Sequence, residues 1–293
     1  MTFSIVAVDR EKWETGFAIS SCSYDSGRVG RAEAGVGSIV SQARCNMVFR
    51  MLFFEKLCEG STLGKILEHF KEIDADIENR QVGMITLDGE ALSFTGKNCA
   101  KWAGHKVGED YTCQGNILVS HEVVERMTEA FTASAGPLYD RLYAALRAGG
   151  DARGKLSARL MVVKKGGGWG GTDVVVDISV EDHVEPVKEL GRILQAGKNM
   201  LRCWSLVREL NQASGEDKDE ALGKLERFLE NRADRAYIDA WMELGSAQLE
   251  MGLKEKAVET FRKYLEISPR MAPLMRDLVE QGELPEEILE YTE

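Results

Sequence analysis

The chain has 293 residues, of which 44% are hydrophobic, and it carries 37 basic against 48 acidic side chains for a net charge of −11. This length suits one large domain or two ordinary ones with a sizeable core. The acidic balance argues against a nucleic-acid binder and against adhesion to anionic membrane surfaces.

The six cysteines form neither a C-x-x-C pair nor a dense disulfide framework. We therefore expect buried thiols in a reducing compartment. We also predict no metal site and no cofactor. The chain lacks a basic segment followed by an apolar one at its start, and no apolar run reaches the roughly 18 residues of a membrane helix. The sequence thus predicts a soluble, cytoplasmic protein.

The first nine residues predict a buried strand, because Ile5, Val6 and Val8 place apolar side chains on both faces of the pleat. Further strands are indicated by β-branched runs with turn residues between them, among them the Asp88-Gly89 hairpin turn. In chain order these strands are Gly16–Cys22, Ala34–Gln42, Gln81–Leu87, Ala91–Thr95, Ala158–Lys164 and Asp173–Val180.

Apolar residues at helical spacing predict five helices in the same part of the chain. Helix pairs alternate with blocks of strands joined by short hairpins, which indicates helices outside and antiparallel sheets inside. The sequence therefore predicts an α+β fold with four α/β/β/α layers over residues 1–199. The predicted helices are Asn46–Cys58, a helix from an N-cap at Ser61 to about Glu72, Glu122–Ser134, Pro137–Arg147 and Pro186–Gln195.

From Met200 onward the pattern is helical only and resembles the tetratricopeptide repeat. In that repeat, small residues let two antiparallel helices touch, a glycine turns the chain and a proline ends the second helix. A glutamine, Gln248, stands where an aromatic residue is usual. The matching residues are Trp241, Leu244, Gly245, Gly252, Ala257, Phe261 and Pro269.

A weaker copy of the repeat lies 36 residues earlier, at Ala221, Leu225 and Phe228, and a capping helix is expected from about Pro273 to Leu289. Two repeats are fewer than the three normally needed for independent stability. We therefore expect residues 200–293 to form a helical domain that packs on the first domain, recruits a protein partner or pairs two copies into a homo-oligomer, with a dimer as the simplest case.

Thr2 carries the chemistry of greatest interest in the first strand. An aminopeptidase is expected to trim Met1 ahead of so small a residue, which leaves a threonine with a free α-amine. An α-amine of pKa about 7.7–8.0 is a suitable base for the hydroxyl of its own residue. The ordinary alternative is that Thr2 is a strand residue with no chemical role.

Three groups of motifs, in the same order along residues 2 to about 195, resemble a widespread prokaryotic family. It is the domain of unknown function numbered 1028, within the N-terminal-nucleophile (Ntn) hydrolase superfamily. The chain departs from the expected pattern at Cys22, where a basic residue is expected after Ser21. The motifs are Thr2–Ala7, Ala34–Gly37 and Ser41-Gln42; then Phe94–Gly96, Trp102–His105, Tyr111 and Gln114–Leu118; then Gly149–Gly154, Ser157-Ala158, Asp182-His183 and Pro186.

The resemblance implies a four-layer αββα fold with its catalytic centre at the start of the first strand, and hydrolysis of an amide bond. In this hypothesis the Thr2 hydroxyl attacks a small-molecule or peptide amide and the Thr2 amine moves the proton. Amides of Asn116 and Gln114 steady the oxyanion, and Asp151 and Arg153 orient the amine and a substrate carboxylate.

Each of these residues has a plainer interpretation. Gly115 can form a bulge, with the side-chain amides of Gln114 and Asn116 stabilising the loop by hydrogen bonds. Asp151 and Arg153 can form a surface ion pair. Ser4, on the same face as Thr2, is an alternative nucleophile only if the chain is cleaved before it. His183 fits a structural hydrogen bond better than a metal site.

The competing hypothesis for function is a non-catalytic scaffold that keeps the αββα fold and binds proteins through its helical tail.

Overall fold

A computed structural model describes residues 1–150 and 156–292. The chain divides into two compact units, Met1–Leu194 and Gln195–Glu293. None of the described helices is long and apolar enough to cross a lipid bilayer. All six cysteines are free thiols.

The first unit contains two sheets in which every neighbouring pair of strands is antiparallel. The strands are β1 (Thr2–Asp9), β2 (Glu14–Ser21), β3 (Gly30–Glu33), β4 (Gly37–Ala43), β5 (Arg80–Thr86), β6 (Ala91–Thr95), β7 (Gly104–Gly108), β8 (Tyr111–Asn116), β9 (Ser157–Val163) and β10 (Val174–Val180). Their order is β10-β9-β2-β1-β8-β7 in one sheet and β3-β4-β5-β6 in the other. Strand β1 therefore has a neighbour on each side.

Helices pack against the strands of both sheets. Helices α1 and α2 contact β4 and β6, whereas α3 and α4 contact β1, β2, β7, β8 and β9. Stacked rings of Phe49 and Phe70 fill the core under α1 and α2. The helices are α1 (Phe49–Cys58), α2 (Leu63–Ile73), α3 (Glu122–Ala133), α4 (Leu138–Ala148) and α5 (Pro186–Gln212), which includes the division between the units.

Strand β1 contributes side chains to two separate cores. Phe3 and Ile5 join the core shared with α3 and α4, while Val6 and Val8 join apolar residues from both sheets. This follows from the period of two along a strand. Burying each of these large side chains contributes about 1.5–3 kcal/mol. Thr2, Ser4, Val6 and Val8 thus share the face of β1 that is turned toward the other sheet.

The α+β class predicted from the sequence is confirmed, and several boundaries differ. The stretch before Gly37 contains the additional strand β3, and the segment from Trp102 to Leu118 contains β7 and β8. The side chain of Thr62, not Ser61, caps α2 by accepting a hydrogen bond from the backbone N–H of Lys65. Helix α5 continues past Gln195 to Gln212 because no proline follows to end it, and the single Gly197 is tolerated within a helix.

The second unit is helical throughout its described residues. Helices α7 and α8 form the hairpin that the repeat pattern predicts, and Gln248 is buried between them. Its side-chain amide donates to Glu226 Oε1 at 2.9 Å and accepts from Thr260 Oγ1 at 2.7 Å. The unusual glutamine is therefore satisfied by two polar partners. The helices are α6 (Glu216–Leu229), α7 (Ile238–Glu250), α8 (Lys254–Ile267) and α9 (Ala272–Glu280).

Close approach of α7 and α8 depends on Gly245, because a Cβ atom added there would lie 2.6 Å from the ring of buried Phe261. We expect Gly245→Ala to lower the free energy of unfolding by about 1–3 kcal/mol through overpacking. Gly197→Ala is the matched control, since nothing lies within 4 Å of its Cβ position and alanine favours a helix. Urea denaturation measures both, and equal midpoints for the two variants would contradict this packing.

Candidate active site

Thr2 is the first residue of β1 and is partly exposed. It lies opposite Ser21 of β2 on one side and opposite Asn116 of β8 on the other. Strand register therefore brings Thr2 and Asn116 together, two of the residues that the sequence analysis selected, although they are far apart in the chain.

The Thr2 hydroxyl is hydrogen-bonded to Ser21, with 2.8 Å between Thr2 Oγ1 and Ser21 Oγ. Ser21 Oγ also donates to the carbonyl oxygen of Met1 at 3.2 Å. Ser21 has one hydroxyl hydrogen, so in this arrangement Thr2 is the donor to Ser21. The Met1 carbonyl accepts a second hydrogen bond from the backbone N–H of Cys22 at 3.1 Å, and the Met1 amine lies 2.9 Å from Cys22 Sγ.

A series of hydrogen-bonded, buried side chains begins at Ser4, two residues along β1 from Thr2. Ser4 Oγ accepts from Gln114 Nε2 at 2.7 Å and donates to Gln42 Oε1 at 2.8 Å. Gln42 Nε2 donates to Gln81 Oε1 at 2.7 Å, and Asn116 Nδ2 donates to the same oxygen at 3.1 Å. These five residues are at most 3% exposed, and we call them the amide network.

Gln81 determines the direction of every hydrogen bond in the amide network. Its Nε2 faces the backbone carbonyl oxygens of Gly104 at 3.1 Å and Gly115 at 2.9 Å. Carbonyl oxygens only accept, so the atom facing them must be the amide nitrogen and the opposite atom must be the oxygen. Asn116 and Gln42 therefore point their nitrogens at Gln81.

This orientation leaves part of the Asn116 amide for a ligand. Within the described residues, Asn116 makes one side-chain hydrogen bond, from Nδ2 to Gln81. One Nδ2 hydrogen and the carbonyl oxygen Oδ1 are left over. By contrast, Gln114 is fully buried, with Nε2 donating to Ser4 and Oε1 accepting from Thr112 Oγ1 at 2.8 Å.

At its outer edge the amide network reaches His105. Gln81 Nε2 lies 2.9 Å from Thr95 Oγ1, which lies 2.8 Å from His105 Nδ1. Partial burial of the imidazole lowers the pKa of His105 below its usual value. In the tautomer with its hydrogen on Nε2, the neutral ring accepts the Thr95 hydroxyl hydrogen at Nδ1. The Thr95 oxygen is then a third acceptor for the two Nε2 hydrogens of Gln81, one of which is shared.

Space for the amide network is provided by Gly83 on β5. A Cβ atom at this position would lie 2.3 Å from Gln114 Oε1. The side chain of Gln114 thus crosses from one sheet to the backbone of the other, which only glycine permits.

Sequence reasoning found Thr2, Ser4, Gln114 and Asn116, and register brings these four together. It assigned no site role to the others, namely Ser21, Gln42, Gln81, Thr95 and His105. Gln42, Thr95 and His105 lie in the motifs that carry the family resemblance, and Ser21 precedes the position where a basic residue is expected. The sequence offers no signal for Gln81. Asp151 and Arg153 lie outside the described residues.

His183 has a structural contact, since its Nδ1 accepts a hydrogen bond from the backbone N–H of Glu185 at 3.0 Å. Among residues 1–150 and 156–292, no group of three or more His, Cys, Asp or Glu side chains is arranged to hold a metal ion.

Comparison with known proteins identifies the family. A family model described as a family of unknown function, DUF1028, matches residues 2–190. The chain belongs to this family. A tetratricopeptide repeat model matches residues 238–271. No match is found among curated proteins.

A crystal structure of a DUF1028 protein from Silicibacter pomeroyi is similar to this chain, with a TM-score of 0.61 and 28% sequence identity. The similarity covers 75% of this chain and 89% of that one. The family resemblance expected from the motifs is therefore confirmed, together with the repeat-like tail.

The central position of Gln81 predicts a pH-dependent defect in Gln81→Glu. A carboxylate there would face two carbonyl oxygens, so burial and repulsion raise its pKa in the folded state. The folded variant then holds a proton that the unfolded chain releases near pH 4.3, so its stability falls as pH rises above that value. We expect an additional loss of about 1.4 kcal/mol for each unit by which the folded pKa is raised.

Urea midpoints at about pH 4 and about pH 8 measure this loss relative to wild type. Gln81→Met is the matched control, because it removes the same hydrogen bonds without adding a titrating group. Its cost should be the same at both pH values. A Gln81→Glu protein whose deficit does not grow with pH would contradict the orientation derived for Gln81.

Proposed function

We propose that this protein is an Ntn-type amidohydrolase in which Thr2 is the nucleophile, acting on an amide bond of a small molecule or peptide. The observation that carries the proposal is the pairing of a partly exposed Thr2 hydroxyl with Ser21 on one side and the incompletely used amide of Asn116 on the other. The two facing sheets with helices packed on each are the arrangement that an Ntn-type αββα sandwich requires.

The proposed reaction requires hydrolysis of the peptide bond between Met1 and Thr2. With Met1 attached, the Thr2 nitrogen is a peptide nitrogen and has no basic lone pair. Once Met1 is released, the Thr2 amine becomes the base, and the Ser21 hydrogen that was directed at the Met1 carbonyl is freed. Ser21 then has a hydrogen to donate to the Thr2 oxygen as negative charge develops there.

In the proposed first half-reaction, the neutral Thr2 amine accepts the hydroxyl proton while Thr2 Oγ1 bonds to the substrate carbonyl carbon. The resulting oxyanion receives the free Nδ2 hydrogen of Asn116. The amine then gives its proton to the leaving nitrogen, the C–N bond breaks and an ester to Thr2 remains. In the second half, water attacks the ester, its proton passes through the amine to Thr2 and the carboxylic acid is released.

Different residues of the amide network have different parts in this scheme. Asn116 lies at the level of Thr2 and is the proposed oxyanion donor. Gln114 lies at the level of Ser4, and we propose that it supports the oxyanion site by holding Ser4. Asp151 and Arg153 remain candidates for orienting the amine and a substrate carboxylate.

We expect Thr2→Ala to abolish turnover of any amide substrate found by screening, whereas Thr2→Ser keeps part of it. Loss of a nucleophile or its proton transfer lowers rates by at least about 10²-fold. The protein used must first be shown by intact-mass measurement to lack Met1. Equal turnover by wild type and Thr2→Ala would remove Thr2 from the mechanism.

A blocked amine provides a second comparison in which the hydroxyl is untouched. A preparation that retains Met1 should be inactive toward the same substrate and should regain activity when an aminopeptidase removes Met1. Activity with Met1 retained would mean that the hydroxyl reacts without the proposed base, and this result would contradict the mechanism.

The tetratricopeptide match favours a second candidate function, protein interaction through residues 200–293. We propose that this tail joins two copies of the chain, because two repeats provide few stacking partners of their own. Light scattering on the eluting protein should then give about twice the 32.5 kDa chain mass. A mass of one chain at all concentrations would contradict self-association.

A further inference from the structure

Arg141, on helix α4, is a guanidinium that has no counter-ion among residues 1–150 and 156–292. Its cation packs over the ring of buried Phe131, 4.3 Å from the centroid. Its Nε atom is buried and has no hydrogen-bond partner, and within the described residues no carboxylate pairs with it. Two other arginines have a similarly buried Nε, but each is engaged elsewhere: Arg50 with backbone carbonyls and Arg262 with Glu266.

Arg141 lines a cleft of about 520 Å³ formed by the end of β1, the turn after it and the turn before β8. Small-molecule sites commonly range from about 300 to 1,000 Å³. Strand β1 separates this cleft from Thr2 by about 23 Å, at roughly 3.3 Å per residue. The cleft is therefore distinct from the candidate active site. Its lining residues are Val8, Asp9, Arg10, Glu11, Asp110 and Arg141.

Most charges in the cleft are already paired within the protein. Arg10 Nε lies 2.8 Å from Asp110 Oδ1, and Lys12 Nζ lies 3.1 Å from Asp9 Oδ2. Among the described residues that line the cleft, this leaves one cation, Arg141, and one exposed carboxylate, Glu11, without an ion pair. The unmatched charges are therefore one positive and one negative.

We propose that this cleft binds a small zwitterion, namely a free α-amino acid. The ligand carboxylate pairs with Arg141, whose planar guanidinium offers two parallel N–H donors to a carboxylate. Stacking on Phe131 holds the guanidinium in place, so little conformational entropy is lost on binding. The ligand ammonium pairs with Glu11. A simple anion would leave Glu11 unmatched and would also face the carboxylates of Asp9 and Asp110.

The test is calorimetric titration of the full chain with each standard amino acid in turn. We expect at least one to bind with a Kd of about 1 mM or tighter. Arg141→Gln should weaken binding by about 10-fold or more, while Arg141→Lys, which keeps the charge, should retain part of it. Arg147→Gln is the matched control, because Arg147 is exposed on the same helix and does not line the cleft.

Ligand-side controls keep the test decisive if Arg141→Gln fails to fold. The N-acetyl derivative of the binding amino acid lacks the ammonium and its amide derivative lacks the carboxylate, so both should bind about 10-fold more weakly or worse. Glu11→Gln should weaken binding of the amino acid but should leave binding of its N-acetyl derivative unchanged.

Three results would overturn the proposal. They are no binding by any standard amino acid, equal binding by wild type and a folded Arg141→Gln, and equal binding of the parent and its N-acetyl derivative. Thr2→Ala should bind as wild type does. Loss of binding in that variant would assign the ligand to the Thr2 site and would likewise reject the cleft. These measurements do not depend on whether Thr2 hydrolyses amides.

Discussion

The amide network depends on two backbone carbonyls, those of Gly104 and Gly115, which both accept from Gln81. Side-chain amides inside a protein can adopt either of two orientations, and each alternative reverses donors and acceptors in the partners. Because these carbonyls only accept, one orientation of Gln81 is possible, and it fixes Asn116, Gln42 and in turn Ser4. A buried polar network of this kind is costly unless every member is satisfied, so it also specifies how the two sheets align.

The same face of β1 changes character along its length. Val6 and Val8 join the apolar core between the sheets, whereas Ser4 is bound into the amide network. One end of the space between the sheets is therefore apolar, and the other is polar and lies next to Thr2. Burial of the apolar half contributes stabilising free energy, which offsets the cost of burying polar groups in the other half.

Patterns in the sequence could predict the strand character of β1 and the α+β class, and they select Thr2 as a candidate nucleophile, since these inferences depend on local alternation and residue type. Strands β3, β7 and β8 were missed. Strand β3 is only four residues long, β7 (Gly-His-Lys-Val-Gly) has little β-propensity, and β8 (Tyr-Thr-Cys-Gln-Gly-Asn) ends in residues that are rare in strands. Gln81 was missed for a different reason. A glutamine in a strand ordinarily faces solvent, and its burial follows from contacts with residues more than 20 positions away.

Strand β1 is hydrogen-bonded to β2 and β8 along almost its whole length, so the backbone of Thr2 is immobilised by folding itself. The arrangement has a practical side for anyone who produces the protein. An affinity tag fused ahead of Met1 would continue directly from this strand end and would occupy the surroundings of Ser21 and Asn116. Purification handles therefore belong at the carboxyl end of the chain, because a tag placed there leaves the surroundings of Thr2 unchanged.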